Sequence, residues 1–248
     1  MCAIAGTVNI SDKKVLKTML QLMVHRGPDS GGEYHDHSKN VSLGHCRLAI
    51  LDLSATGHQP MLDVDENIVV VFNGEIYNYN ELKSDLIKKG YTFKSTTDTE
   101  VLIHGYKEYG KDIFKKLDGM WAVVLYDKIL QLLLFSRDPS GMKPLYLYRN
   151  EDTLAFSSEI GALVEAISKK SLTLNDNSII MYLAHRYIFG TQTIYKEIES
   201  IPPSTTMIIK LDNMETITEQ HYVPQNKFIP SSVDQAVSEF SRLFEKSV

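Results

Sequence analysis

The sequence predicts an α+β fold with helices packed on antiparallel sheets. Three observations carry this. Short β-rich runs follow one another directly, at 120–127 (MWAVVLYD), 131–137 (QLLLFSR), 144–149 (PLYLYR) and 153–158 (TLAFSS), a spacing that suits hairpins and meanders. Helical patterns are segregated from that block. The 248 residues are 43% hydrophobic and 23% charged, the proportions of a globular chain long enough to bury a sizeable core.

Each element has a local reason. Residues 2–10 (CAIAGTVNI) read as a short buried strand. In 11–24, Val15, Leu16, Met19, Leu20 and Met23 recur at helical spacing, with Ser11 or Asp12 as the cap. Gly and Pro make 25–32 (HRGPDSGG) a loop. Strands are expected at 41–53 and 67–73. A helix over 81–89 starts from Asn80 and ends at Gly90, and another runs from Asp98 to about Gly110. After the serial strands comes a helix over 157–168, then a hairpin of 205–211 and 215–223 turning at Asp212-Asn213. The tail differs. A Pro-containing connector begins at 226, and Val233, Ala236, Val237, Phe240, Leu243 and Phe244 then form a strong apolar helical stripe. Such a helix docks on its own domain or opens a second one.

The bulk properties exclude several functions. Net charge is −5 with no basic run, so neither nucleic acid nor an anionic membrane is an expected partner. No secretory signal pattern and no apolar run of about 18 residues are present. Two cysteines argue against a disulfide framework and fit a reducing, cytoplasmic compartment. The histidines and cysteines lack metal-ligand spacing, so no metal site is expected. Cys46, within a strand, reads as a small core residue. The Gly-bearing loops at Ser30-Gly31-Gly32 and Ser140-Gly141-Met142-Lys143 lack phosphate-loop spacing and read as turns.

Three polar groups stand out. Arg47 lies among aliphatics in a strand and needs an anionic partner or a solvent-facing side. Asn73-Gly74-Glu75 closes the apolar run VVVF, where Asn-Gly equally fits a type I′ turn. Asp98 opens a helix, where an N-cap is an equal reading. Together they could hold an amino acid: an arginine for its carboxylate, two carboxylates for its ammonium, and an Asn amide with a Gly N–H for a developing oxyanion.

Eight stretches then occur in one order: MCAIAG (1–6), HRGPDSGG (25–32), GHCRLAILD (44–52), FNGEIYNYNEL (72–82), TDTEVLIHGYKEYG (97–110), LDGMWAVVLYD (117–127), SRDPSGMKPLY (136–146) and FSSEIGAL (156–163). In these the chain resembles the class II glutamine amidotransferase domain of glutamine-hydrolysing asparagine synthetases, over roughly its first 220 residues. TIYKEIESIPPS (193–204) fits weakly, with Ser204 where a Gly is usual. GHCRLAILD and FNGEIYN favour this branch over those that aminate sugar phosphates or phosphoribosyl pyrophosphate.

The resemblance implies an αββα sandwich of two antiparallel sheets, the N-terminal-nucleophile hydrolase architecture, with the chain start buried at one end. It implies that Met1 is removed and that Cys2 supplies both thiol nucleophile and α-amine base. An α-amine titrates near 7.7–8.0, where a base at neutral pH should be. It makes Asn73 and Gly74 the oxyanion donors. It gives Arg47 the substrate α-carboxylate and Glu75 and Asp98 the ammonium, with Leu48 and Ile50 lining the site and Arg26 ordering the terminus. Glutamine is the implied substrate, and no cofactor is needed to hydrolyse it. ATP and Mg²⁺ belong to a synthetase domain expected beyond this chain, so 1–225 read as the glutaminase domain and 226–248 as a linker and that domain's first helix. A homodimer is left open, as is a different ammonia acceptor or, if Met1 stays, a non-catalytic glutamine-sensing or scaffold role.

Overall fold

The computed structural model describes residues 1–12, 14–167, 171–224 and 229–247. In chain order the strands are β1 (Ala3–Val8), β2 (Ser30–Asp36), β3 (Val41–Arg47), β4 (Met61–Leu62), β5 (Ile68–Ile76), β6 (Gly119–Asp127), β7 (Leu132–Arg137), β8 (Tyr146–Arg149), β9 (Leu154–Ser157), β10 (Ile198–Ser200), β11 (Thr205–Lys210) and β12 (Thr216–Gln220). The α-helices are α1 (Lys14–Leu22), α2 (Tyr79–Lys88), α3 (Thr99–Tyr109), α4 (Ile160–Ala166), α5 (Asp176–His185) and α6 (Val233–Ser247).

The strands form two six-stranded sheets, ordered β10-β8-β9-β1-β3-β2 and β12-β11-β7-β6-β5-β4, and their pairings are antiparallel. Alternation along the strands creates the layers. Ile4, Val8, Val41 and Leu43 of the first sheet meet Val69, Val71, Val124 and Phe135 of the second in a shared core. The opposite face of the first sheet, with Ala3, Ala5 and Cys46, takes Leu16, Met19 and Leu20 of α1 and Leu163 of α4. The opposite face of the second, with Phe72, Trp121 and Val123, takes Leu102 and Tyr106 of α3. The result is the α/β/β/α layering expected.

Most elements lie near their expected places, and the departures are informative. Asp12 Oδ1 accepts the Lys14 N–H at 2.9 Å, so it caps α1. The strand expected over 41–53 stops at Arg47, and the chain then curls through Asp52 at φ 50°. β5 runs three residues past its expected end, so Asn73-Gly74 lies inside a strand paired with Ala122 and Trp121 and is not a turn. α2 starts at Tyr79 rather than after Asn80. Asn78 stands at its N-cap position, and its side chain bonds Lys116 O and Asp118 N instead of capping. Gly90, at φ +99°, ends that helix as expected. β2 occupies residues partly expected to be loop, and the short β4 and α5 were not anticipated. Ser204, where a Gly is usual, holds φ 58°, the backbone region that favours Gly. Its Oγ accepts the Tyr222 N–H at 2.9 Å, a bond Gly could not make. The domain boundary at 225–226 lies outside the described residues. Beyond it, α6 leaves Val237, Phe240, Leu243 and Phe244 more than half exposed.

Candidate active site

β1 is a central strand, between β9 and β3, and this carries the residue before it into the body of the protein. Cys2 is half-buried there. The Leu48 N–H, just past β3, donates to Cys2 Sγ at 3.4 Å, and Leu48 O lies 3.6 Å from the sulfur. Burial pushes the thiol pKa up, against the pull of the Leu48 contact, the chain's amino terminus and Arg47. A thiol held this way needs a base.

The loop 25–29 secures the chain start from outside. Arg26 Nε donates to Cys2 O at 3.1 Å, and its Nη1 pairs with Glu159 at 3.2 Å. Gly27 lets this loop pack against β3, because a Cβ there would meet Cys46 O at 2.3 Å.

Across the cleft β5 presents Asn73, Gly74 and Glu75 beside Cys2 and Arg47. Asn73 is 1% exposed, and its Nδ2 has no hydrogen-bond partner. An orphaned buried donor costs on the order of 1–3 kcal/mol, so one kept beside a nucleophile calls for a role. Gly74 is required by close approach: a Cβ would lie 2.1 Å from Met120 O and 2.8 Å from Trp121 Cα. Glu75 is half-buried and its pKa is raised, first by burial and then by Asp98, while Lys143 draws it down. Asp98 is buried at the start of α3 but does not cap it. Its Oδ2 accepts the Ile76 N–H at 2.9 Å instead, and burial raises its pKa. Two carboxyls desolvated together make a seat for a cation.

Arg47 is 7% exposed, and Nη1 donates to Ser54 O at 3.1 Å. Nη2 donates to Leu51 O at 3.2 Å and to Asp52 O. Three of its five N–H groups therefore brace the loop after β3, and a bound carboxylate has to share the guanidinium with those carbonyls. Ile50 and Leu51 line the cleft in that loop, Ile50 at its exposed rim.

Sequence reasoning missed Gln59, Lys143, Thr97 and Thr99, which line the same cleft. Lys143 is 6% exposed, and its Nζ reaches Met1 Sδ at 3.5 Å. No periodicity marks it, since the 138–143 loop is set by Asp138, which accepts the N–H groups of Ser140, Met142 and Lys143. Cys46 lies elsewhere: buried under α1, it donates to Leu20 O at 3.3 Å, and burial pushes its pKa up to about 11. Among the described residues no three His, Cys, Asp or Glu side chains converge as a metal would need, and no helix is long and apolar enough to cross a membrane.

The layering, with a half-buried Cys2 at the head of a central strand, defines the class as the N-terminal-nucleophile hydrolase fold. Glutamine phosphoribosylpyrophosphate amidotransferase from B. subtilis shares it, with a TM-score of 0.66 at 20% identity over 91% of this chain and 50% of that one. A structure described as the allosteric regulatory enzyme of purine biosynthesis gives the same score at 21% identity. At such identities the likeness is one of fold.

Within that class the chain belongs to the glutamine amidotransferase domain family, whose model matches residues 1–223. It is 34% identical to asparagine synthetase [glutamine-hydrolyzing] 1 of Bacillus subtilis over 247 residues, 96% of this chain and 38% of that protein. It is 38% identical to the putative asparagine synthetase [glutamine-hydrolyzing] 2 of Methanocaldococcus jannaschii over 236 residues, 87% of this chain and 45% of that protein. The chain thus spans less than half the length of these relatives. It is a class II amidotransferase domain, an enzyme domain homologous to the glutaminase part of asparagine synthetases.

Proposed function

We propose that this chain hydrolyses glutamine to glutamate and ammonia, with Cys2 as nucleophile once Met1 has been removed. One observation carries the reading: Asn73, which lines the cleft that holds Cys2, keeps a buried, unpartnered Nδ2. The freed α-amine of Cys2 takes the thiol proton. The thiolate forms an S–C bond to the glutamine side-chain amide carbon, and Asn73 Nδ2 and Gly74 N–H receive the oxyanion. Collapse breaks the C–N bond, and the α-ammonium returns its proton to the departing ammonia. Water then cleaves the γ-glutamyl thioester and restores the thiol. Arg26 orders the terminus, and Leu48 and Ile50 line the site.

Arg47 takes the substrate carboxylate, and Glu75 with Asp98 the ammonium. Arg47→Lys should raise KM by about tenfold and lower kcat less, because an ammonium cannot reproduce the guanidinium fork. Steady-state kinetics on the folded variant decides this, and an unchanged KM removes Arg47 from substrate binding.

The carboxyls give a pH dependence. Both pKa values are raised, by burial first, and only ionised carboxylates hold an ammonium. KM for glutamine should therefore climb as pH falls, starting above the ordinary carboxylate range of about 3.9–4.3. In Asp98→Asn the KM should be high throughout and lose most of this slope; a retained slope points to another group.

The alternative reading is that Met1 is retained: the α-amine then belongs to the wrong residue and the domain senses glutamine or acts as a scaffold. Intact mass together with glutamate release separates the two. A processed, folded chain that releases no glutamate from glutamine overturns the first.

For the whole protein, we assign 1–225 to the glutaminase domain and 226–248 to a linker and the first helix of a synthetase domain, a reading supported by the uncovered apolar face of α6 and the greater length of the relatives. There ammonia meets aspartate activated by ATP with Mg²⁺, giving asparagine; another acceptor is the alternative. A cytoplasmic site fits the two free cysteines, and homodimerisation remains part of the proposal to be tested by mass in solution.

A further inference from the structure

β4 is two residues long, and its pairing with β5 ends at Val70 opposite Met61. Past that point β5 has a neighbour on one side only, yet it carries the site. In an antiparallel ladder alternate residues turn their N–H and C=O to opposite edges. Phe72, Gly74 and Ile76 thus share the edge that β4 has abandoned. Side chains from distant elements satisfy it. The Phe72 N–H donates to Gln59 Oε1 at 2.6 Å. Phe72 O accepts from His45 Nε2 at 3.1 Å. The Ile76 N–H donates to Asp98. Gly74 N–H lies between these clamps, on the edge that faces the cleft.

His45 and Gln59 are both buried, at 0% and 5% exposure. His45 follows Val41 and Leu43 on the core face of β3, where another aliphatic would pack. Its Nδ1 is buried without a partner, a cost an aliphatic would avoid. Burial lowers its pKa to about 3, so it stays neutral and its Nε2–H is committed to Phe72 O. Gln59 Nε2 in turn donates to Thr99 Oγ1 at 3.3 Å, tying the clamp to the start of α3.

We propose that His45 and Gln59 are positioning residues for the oxyanion site: they replace the missing strand and fix the two peptide planes flanking Phe72, so that Asn73 Nδ2 and Gly74 N–H converge on one point. This rests on the glutaminase reading above. Gln59 lines the cleft, but its Oε1 and Nε2 are engaged by Phe72 and Thr99, and His45 is buried, so in this account their effect passes through Asn73 and Gly74.

A double-mutant cycle on the full chain tests it. In Gln59→Met and in His45→Phe, kcat should fall about tenfold to a hundredfold while KM stays within about threefold. In an Asn73→Ala background the same changes should cost far less, because the group they position is gone. Melting temperatures accompany each variant, and with two independent variants one misfolded protein does not end the test. Losses that multiply fully with Asn73→Ala, a change confined to KM, or full kcat in either folded variant overturn the proposal. Wild-type protein without Cys2-dependent glutamate release defeats the parent reading instead, so the two failures are distinguishable.

Discussion

Cys2→Ala should abolish glutamate release from glutamine while leaving the protein folded. The thiol is the group that bonds to the substrate in the proposed mechanism, and nothing else in the cleft offers a comparable nucleophile. Alanine keeps the α-amine but gives it no thiol to deprotonate, so turnover falls to the background of uncatalysed hydrolysis. The structural cost is small, because Cys2 is half-buried and its sulfur makes only long contacts with Leu48. Cys46 should behave in the opposite way. It is 3% exposed and packs under α1, so Cys46→Ala should cost roughly 1–2 kcal/mol of stability with turnover intact. Thermal melts and a coupled glutamate assay on both variants decide the matter. Normal glutamate release by a folded Cys2→Ala protein overturns the nucleophile assignment.

How far the sequence reveals this arrangement depends on how local each feature is. The serial strands β6 to β9 and helix α1 are legible because their apolar residues repeat at the period of the element they form. β2 is not: its Ser-Gly-Gly start has the composition of a loop, and it becomes a strand by pairing with β3, Ser30 opposite Arg47. The strand expected over 41–53 overran for the converse reason. Leu48 to Leu53 are apolar enough for a strand, but Arg47 gathers the carbonyls of Leu51, Asp52 and Ser54 and curls the segment. Asn73-Gly74 and Asp98 had equally good local readings as a turn and a cap. Both fail for tertiary reasons, since β6 pairs through Gly74 and the Ile76 N–H claims Asp98. The stretch MCAIAG and the order of the eight segments identified the candidate residues that line the cleft by resemblance, without revealing their contacts. Gln59 and His45 escaped because their meaning lies in partners 13 and 27 residues away, and Lys143 because the Asp138 loop, not a periodic element, brings it to the cleft.

Asn73→Ala separates the oxyanion role from a purely structural one. The amide oxygen of glutamine gains charge only as the thiolate attacks, so a donor aimed at it stabilises the transition state more than the bound substrate. Removing such a donor typically costs about 10²–10³ in kcat, roughly 2.7–4 kcal/mol of barrier. KM should move little, because Arg47, Glu75 and Asp98 hold the other end of the amino acid. The structure adds a second, independent signature. Asn73 Nδ2 is buried without a partner, so the side chain contributes no hydrogen bond to the fold through that nitrogen. Deleting it removes an orphaned donor as well as some packing, and the melting temperature should stay near wild type while kcat collapses. A structural asparagine gives the reverse pattern, a lower melting temperature with turnover per folded molecule preserved. Steady-state kinetics and thermal unfolding on one preparation therefore decide between the two. A variant that mainly raises KM, with kcat near wild type, means that Asn73 does not meet the developing charge.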